Sequence, residues 1–368
     1  IYNIISDLLI IFLISFLRII SLEYLFRLGY SYYRRNNLVQ SSKNLIKAFD
    51  NKYTAEEIYQ ITKQTSQEFI YKPWVQLGFK DHKNEFSESQ DSLRRTLQPS
   101  ESDISNCSRK KILWFFGGST TYGTGIPWQD TIPSKVVDIG LKNKTCIFAK
   151  NFGIPTFYSL QEAMYFASEL AKSKYKKPDI VIFLDGLNDF ARPKTSIKQE
   201  PHLTPALISS FNPNDDKTNN FPIQLNLKTN LSLIDYISTK LFSSNLNNIY
   251  RDNYKIPKNY DEKEVALEIA NKIFQNNIFI SNLCDIYKIK CYQFIQPISN
   301  IDYTPFEGER ITQNFWEKNE NIAIRYNHGY EELKKLIKIK NFNSLNIKDI
   351  SNIFINYKNG IPYVDPRH

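Results

Sequence analysis

Apolar residues crowd the start of this chain. Leu8 to Leu17 is uncharged and strongly apolar, and Arg18 and Glu23 interrupt the apolar run beyond Leu17. A membrane span needs about 20 mostly apolar residues, which the uncharged stretch alone does not supply. Arg18 could still snorkel at an interface. Three readings of residues 1–35 stay open: a signal anchor or uncleaved signal, an interfacial amphipathic helix, or a buried helix. No small-residue cleavage site is evident. Residues 36–68 read as a polar, partly helical connector. FIYKPWVQLGF and a charged, serine-rich stretch complete a lead-in, 36–110, that lies on a domain without forming one.

From Lys111 the pattern becomes regular. KILWFFGG is a short apolar run stopped by glycines, as expected of a strand buried on both faces. TCIFAKNFG (145–153), PDIVIFLDGLND (178–189) and IKCYQFIQP (289–297) repeat that pattern. Helices are predicted between and after them. One starts at Ser159, where Ser159 and Glu162 form a capping-box signature and Leu160, Ala163, Met164, Ala167 and Ala171 share a face. Another spans 261–287 behind Asp261 and Glu264, and a third 315–340. Strands alternating with helices predict an α/β fold with a mainly parallel sheet covered on both faces. Sites in such sheets form at the carboxyl ends of the strands, here the turns GGST, NFG, GLND and IQP. The alternation lapses over about 190–259, which reads as an irregular insertion above that edge.

Charge and cysteine content change this picture little. The net charge is +9 in 368 residues, but lysine is spread along the whole chain and no basic stripe interleaved with aromatics marks a nucleic-acid track. KKLIKIK reads as the solvated end of a helix, its lysines complementing the helix dipole. Cys107, Cys146, Cys284 and Cys291 form no CxxC pair, so no metal site is expected. Cys146 and Cys291 sit in apolar runs and read as buried free thiols, with a disulfide as the open alternative. The chain lacks an initial Met and ends on a candidate site residue, so it reads as a fragment at both ends.

FFGGSTTYGTG (115–125) carries the candidate chemistry. A phosphate loop needs GxxxxGK[ST], and Thr124 stands where the lysine is required. A dinucleotide loop needs GxGxxG, which Ile126, Pro127 and Trp128 break. The remaining reading is a serine at a strand-to-helix turn, with backbone N–H groups facing a developing oxyanion. Such a serine needs a histidine, and that histidine needs an orienting group. Of the four histidines, His82 and His328 read as surface residues and His202 falls in the insertion. His368 ends DPRH, where Asp365 is a good N-cap and Pro366 suits the first helical position.

Taken in order, FGGST, NFGIPTFYS, GLND and DPRH resemble the four blocks of the SGNH hydrolases, the GDSL esterase/lipase superfamily. The likeness covers roughly 111–368. Gly118 departs from the usual aspartate before the serine. YKPWVQLGF and Arg94-Arg95-Thr96 resemble the lead-in of membrane-anchored bacterial members. The resemblance implies a three-layer α/β/α sandwich, flavodoxin-like in its sheet, plus an N-terminal apolar helix. It implies Ser119 as nucleophile, His368 as general base, Asp365 as its orienting carboxylate, and an oxyanion hole of the Ser119 N–H, the Gly153 N–H and the Asn188 amide. Arg192 and Gln296 lie near strand ends, where substrate contact and a plain structural role are both open. Asp189 reads as a buried, turn-stabilising residue. No cofactor or metal is implied. The expected reaction is hydrolysis of O-acyl esters, O-acetyl first, on a cell-surface glycan. An O-acyltransferase, an inactive glycan-binding or scaffold protein, and a lipase or phospholipase are the alternatives. The expected location is membrane-associated, with a single-pass anchor and the catalytic domain outside the cytoplasm, although Arg34 and Arg35 pull the other way on the positive-inside rule.

Overall fold

The computed structural model describes residues 2–191 and 261–363, apart from 67, 73, 173, 300, 302–309, 340–344 and 358–361. Most of the expected insertion and the DPRH block lie outside the described residues.

The four apolar runs are strands. They are β6 (Arg109–Gly117), β7 (Thr145–Asn151), β8 (Ile180–Asp185) and β9 (Lys290–Ile295). All four pair in parallel, and a short strand β10 (Ile347–Asp349) joins β9 in the same sense. Three more strands come from the lead-in: β3 (His82–Lys83), β4 (Glu88–Gln90) and β5 (Leu93–Arg94). They extend the sheet antiparallel beyond β7, giving the order β10-β9-β8-β6-β7-β5-β4-β3. The lead-in is therefore part of the sheet and not only chain lying upon it. β1 (Phe69–Lys72) and β2 (Gln76–Phe79) form a separate hairpin.

Side chains alternate across β6 because successive residues of a strand point to opposite faces. Trp114 and Phe116 enter a core with Phe152, Phe183, Tyr165 and Phe166. Leu113 and Phe115 enter a second core with Val137 and Ala149. The first is closed by α6 (Ser159–Lys172) and α8 (Glu262–Tyr287), the second by α5 (Ile132–Lys142). Helices thus cover both faces of a mostly parallel sheet. A further cluster, built on α8 and α10 (Glu320–Ile339), packs beneath the end of β9. The expected helix over 315–340 is two helices, α9 (Arg310–Lys318) and α10, meeting at Asn319.

Three expectations need correction. First, α6 starts where predicted but buries a different face. Met164 is 37% exposed, whereas Gln161, Glu162, Tyr165, Phe166 and Glu169 are buried. Ser159 and Glu162 form no capping box: the Ser159 hydroxyl donates to Asp189 Oδ1 at 2.6 Å. Second, the cysteines are paired, Cys107 with Cys146 and Cys284 with Cys291, with Cα separations of 5.6 and 6.1 Å. Third, the N-terminal segment is one helix, α1 (Tyr2–Ser42), of 41 residues. Among the described residues no helix is long and apolar enough to cross a membrane. Arg18, Glu23 and Arg27 break the apolar run, and Arg27 pairs with Glu23 at 2.7 Å. The helix still leaves Phe12, Leu25 and their neighbours largely exposed, Phe12 at 70%.

Candidate active site

β7 and β8 flank β6 on opposite sides although both follow it in sequence. The chain order therefore reverses at β6, and a crevice opens beyond its carboxyl end. Ser119 stands there, as the first residue of α4 (Ser119–Tyr122), a single turn. The turn starts behind Gly118 and ends at Gly123, whose φ of 80° suits a glycine. The Gly123 and Thr124 N–H groups donate to the Ser119 carbonyl at 2.8 and 3.0 Å. Ser119 is half-buried.

Asn188 reaches the same place from α7 (Leu187–Ala191), which follows β8 directly. A Cβ on Gly118 would collide with Asn188 Nδ2 and lie 3.5 Å from the Phe157 carbonyl oxygen. Glycine before the serine is thus what lets the carboxamide lie against the Ser119 turn. Asn188 Nδ2 donates to Phe157 O at 2.7 Å, which uses one of its two hydrogens.

Gly153 joins from the carboxyl end of β7. A Cβ there would lie 2.5 Å from Tyr122 N and 2.9 Å from the Thr121 carbonyl carbon. Its own N–H, expected to face an oxyanion, donates to Asn151 Oδ1 at 2.9 Å. The Asn151 amide in turn donates to Thr121 O at 2.9 Å. Asn151 therefore ties the end of β7 to the Ser119 turn, a role signalled in sequence only by an Asn closing an apolar run. The next turn holds a second feature that the sequence pattern hid. Phe157 N–H donates to Ile154 O at 3.0 Å, and Thr156 between them has a φ of 76°. A β-branched residue in that region is strained, and such strain gathers at functional sites.

Three buried carboxylates, Asp185, Asp189 and Glu162, lie beneath these turns. Asp189 is buried and accepts the Ser159 N–H and hydroxyl. Burial raises its pKa to about 6 against the pull of those Ser159 bonds. Asp185, the last residue of β8, is buried with both carboxylate oxygens lacking a donor, as is Glu162 Oε2. Burial raises Asp185 to about 7 and also pushes Glu162 well above its ordinary value, with Asp185 and Asp189 adding to that rise. Two facing carboxylates hold no donor unless one is protonated, and a shared proton supplies the missing bond. α10 braces this floor: Tyr326 OH donates to Leu187 O at 2.7 Å and Tyr330 OH to Gln296 O at 3.1 Å.

Of the expected site residues, the structure brings Ser119, Asn188 and Gly153 together. Gln296 is buried behind the end of β9, its N–H donating to Asp185 O at 2.9 Å. Asp365, His368 and Arg192 lie outside the described residues. Tyr363, two residues before Asp365, is buried with its ring 5.6 Å from that of Phe354. Among the described histidines, His82 bonds Ser87 Oγ at 2.9 Å and His328 faces Glu331, so neither is bonded to Ser119. Among the described residues no group of three or more His, Cys, Asp or Glu could hold a metal ion.

No protein-family model matches the chain, and no curated protein matches it in sequence. Among solved structures, a variant of the esterase AlinE4 shares 11% identity over 67% of this chain and 77% of its own, with a TM-score of 0.33. AlinE4 itself, an SGNH-hydrolase family esterase, shares 12% over 63% and 81%, with a TM-score of 0.27. A variant of Axe2, an acetyl xylan esterase from Geobacillus stearothermophilus, shares 12% over 62% and 81%, with a TM-score of 0.22.

Proposed function

We propose that this chain is a serine ester hydrolase acting through an acyl-enzyme. The observation that carries the reading is Ser119 opening a glycine-bounded turn at the sheet's switch point, with the Asn188 carboxamide against Gly118. In this reading Ser119 Oγ attacks the ester carbonyl and His368 takes its proton. Asp365 holds the imidazole tautomer and stabilises its charged form. The tetrahedral oxyanion accepts hydrogen bonds from the Ser119 N–H and from the Asn188 Nδ2 hydrogen not given to Phe157. The Gly153 N–H becomes a third donor if it exchanges Asn151 Oδ1 for the oxyanion. His368 then protonates the leaving alcohol, and water releases the acid by the reverse path.

The substrate in this proposal is an O-acyl ester, O-acetyl first, of a cell-surface glycan, as the four-block resemblance implies. Two features support an oxidising, membrane-adjacent location. The Cys107–Cys146 and Cys284–Cys291 pairs suit an oxidising compartment. The exposed apolar side chains of α1 suit contact with a bilayer interface.

A fluorophosphonate probe tests the nucleophile. Labelling of the wild type that disappears in Ser119→Ala is expected, and an unlabelled, folded wild type would overturn the proposal. Release of acetate from an O-acetylated oligosaccharide without any added acceptor separates hydrolysis from transfer.

A further inference from the structure

Arg94 is buried behind the Ser119 turn. It is 1% exposed, and its Cα partner across the β5–β7 ladder is Asn151. Its guanidinium lies over the Tyr122 ring, 4.2 Å from the centroid. Its Nη2 donates to the Ile126 carbonyl at 2.8 Å. Tyr122 ends α4, and Ile126 closes the loop after it. Arg94 therefore grips both ends of the Gly123–Ile126 loop from outside. The Nε and Nη1 groups are buried without an acceptor among the described residues.

A buried guanidinium without a carboxylate partner is a poor source of stability. Taking a charge out of water without a carboxylate partner is unfavourable, and apolar replacements of buried charges are often neutral or stabilising. What a guanidinium offers here is geometry: one planar group stacks on an aromatic face while its edge donates at a fixed angle.

We infer that Arg94 is a positioning residue for Ser119. The path is short. Ser119 and Tyr122 are the two ends of one helical turn, and Ser119 O accepts the N–H groups of Gly123 and Thr124. A shift of Tyr122 or of the loop after it thus reaches Ser119 within that turn. Asn151, the ladder partner of Arg94, holds Thr121 O in the middle of it. A second hold comes from the lead-in as well: the Gly125 N–H donates to buried Thr65 Oγ1 at 3.0 Å. The lead-in therefore completes the nucleophile turn. This inference rests on the reading of Ser119 as the nucleophile.

Arg94→Met and Arg94→Lys in the full chain test it. Three quantities are read: the rate constant of fluorophosphonate labelling, the melting temperature, and amide hydrogen exchange over residues 119–126. In Arg94→Met the labelling rate is expected to fall about 10- to 100-fold, since a misplacement on the order of 1 Å can cost 100-fold. Its Tm should stay within a few degrees of wild type, and exchange over 119–126 should rise. Arg94→Lys should not restore the rate, because an ammonium cannot stack and donate in one plane. Wild-type labelling and exchange in Arg94→Lys would overturn the inference. So would a loss in Arg94→Met that only tracks a collapse in Tm. If the wild type itself takes no label, the nucleophile reading fails, and the exchange measurement still decides whether Arg94 clamps the turn.

Discussion

Replacing Asp185 with asparagine should make the protein more stable at pH 8 while changing it little near pH 4. Asp185 has an ordinary carboxylate value of 3.8 and is raised to about 7 by burial, with Asp189 adding to the rise and a Glu162 bond opposing it. The folded state therefore holds a proton between those values that the unfolded state has released. Stability from this group is fully present below about pH 4 and is lost as pH rises through about 7. Asp189, raised to about 6, adds to the same fall. The span from 3.8 to about 7 is about 3 pH units. At about 1.4 kcal/mol each it amounts to on the order of 4 kcal/mol at alkaline pH. Because Glu162 shares the proton, part of that figure belongs to the pair. Asparagine keeps the shape, removes the titration, and offers Glu162 a donor that both Asp185 oxygens lack when ionised. Urea unfolding at pH 5 and pH 8 measures the effect. The wild type should lose stability between the two, and Asp185→Asn should flatten that slope and exceed the wild type at pH 8. An equal change in stability at both pH values, or a wild type whose stability does not move, would refute the shared-proton reasoning.

Four further outcomes are expected from the geometry of the site. Asn188→Ala should lower kcat about 100- to 1000-fold with a smaller effect on KM; a change confined to KM would remove Asn188 from the oxyanion hole. Gly153→Ala should destabilise by about 1–3 kcal/mol and lower fluorophosphonate labelling, because its Cβ would meet the backbone at Tyr122 N and the Thr121 carbonyl carbon; a normal melting curve would show that the turn yields easily. Thr156→Gly should stabilise by about 1 kcal/mol, the release of left-handed strain offset by glycine's greater unfolded-state entropy; destabilisation in thermal melts would mean that the Thr side chain does more than tolerate its φ. Reducing Cys107–Cys146, which links residues 39 apart, should remove about 4 kcal/mol by loop closure; melting curves unchanged by dithiothreitol would count against the pairing.

The parallel core was legible because its strands are buried on both faces. Such strands are continuous apolar runs between glycines and polar turns, as KILWFFGG and IVIFLD are. The lead-in strands were not legible, since HK, ESQ and LR are too short to show any period and are defined by their partners alone. The start of α6 was readable, but its buried face was not. An apolar template places Met164 inside and Glu162 outside, whereas Glu162 is buried against Asp185 on the strand that follows. The cysteine pairs failed for the same reason. Cys107 lies just past α3 (Glu101–Asn106), and its nearness to Cys146 on β7 is a tertiary distance with no local sign. Ser119 and Asn188 could be picked out as a pair because the four blocks come in a recognisable order. The engagement of the Gly153 N–H by Asn151 needed coordinates.

Sheet order explains why residues so scattered in sequence belong to one site. Read across the sheet, β5, β7, β6 and β8 are neighbours. Their ends or adjoining turns carry Arg94, then Asn151 and Gly153, then Ser119, then Asn188. The row is linked through the residues beside Ser119: Arg94 is the ladder partner of Asn151, Asn151 holds Thr121 two residues after the serine, and Gly118 just before it admits Asn188. Because β7 and β8 leave β6 on opposite sides, the serine stands in the middle of the row with a donor-bearing turn to each side. Only antiparallel pairing by β5 extends the row outward, since a further parallel strand would need another crossover helix. The polar lead-in, which shows no period of its own, is thus the segment that closes the Ser119 turn on its open flank.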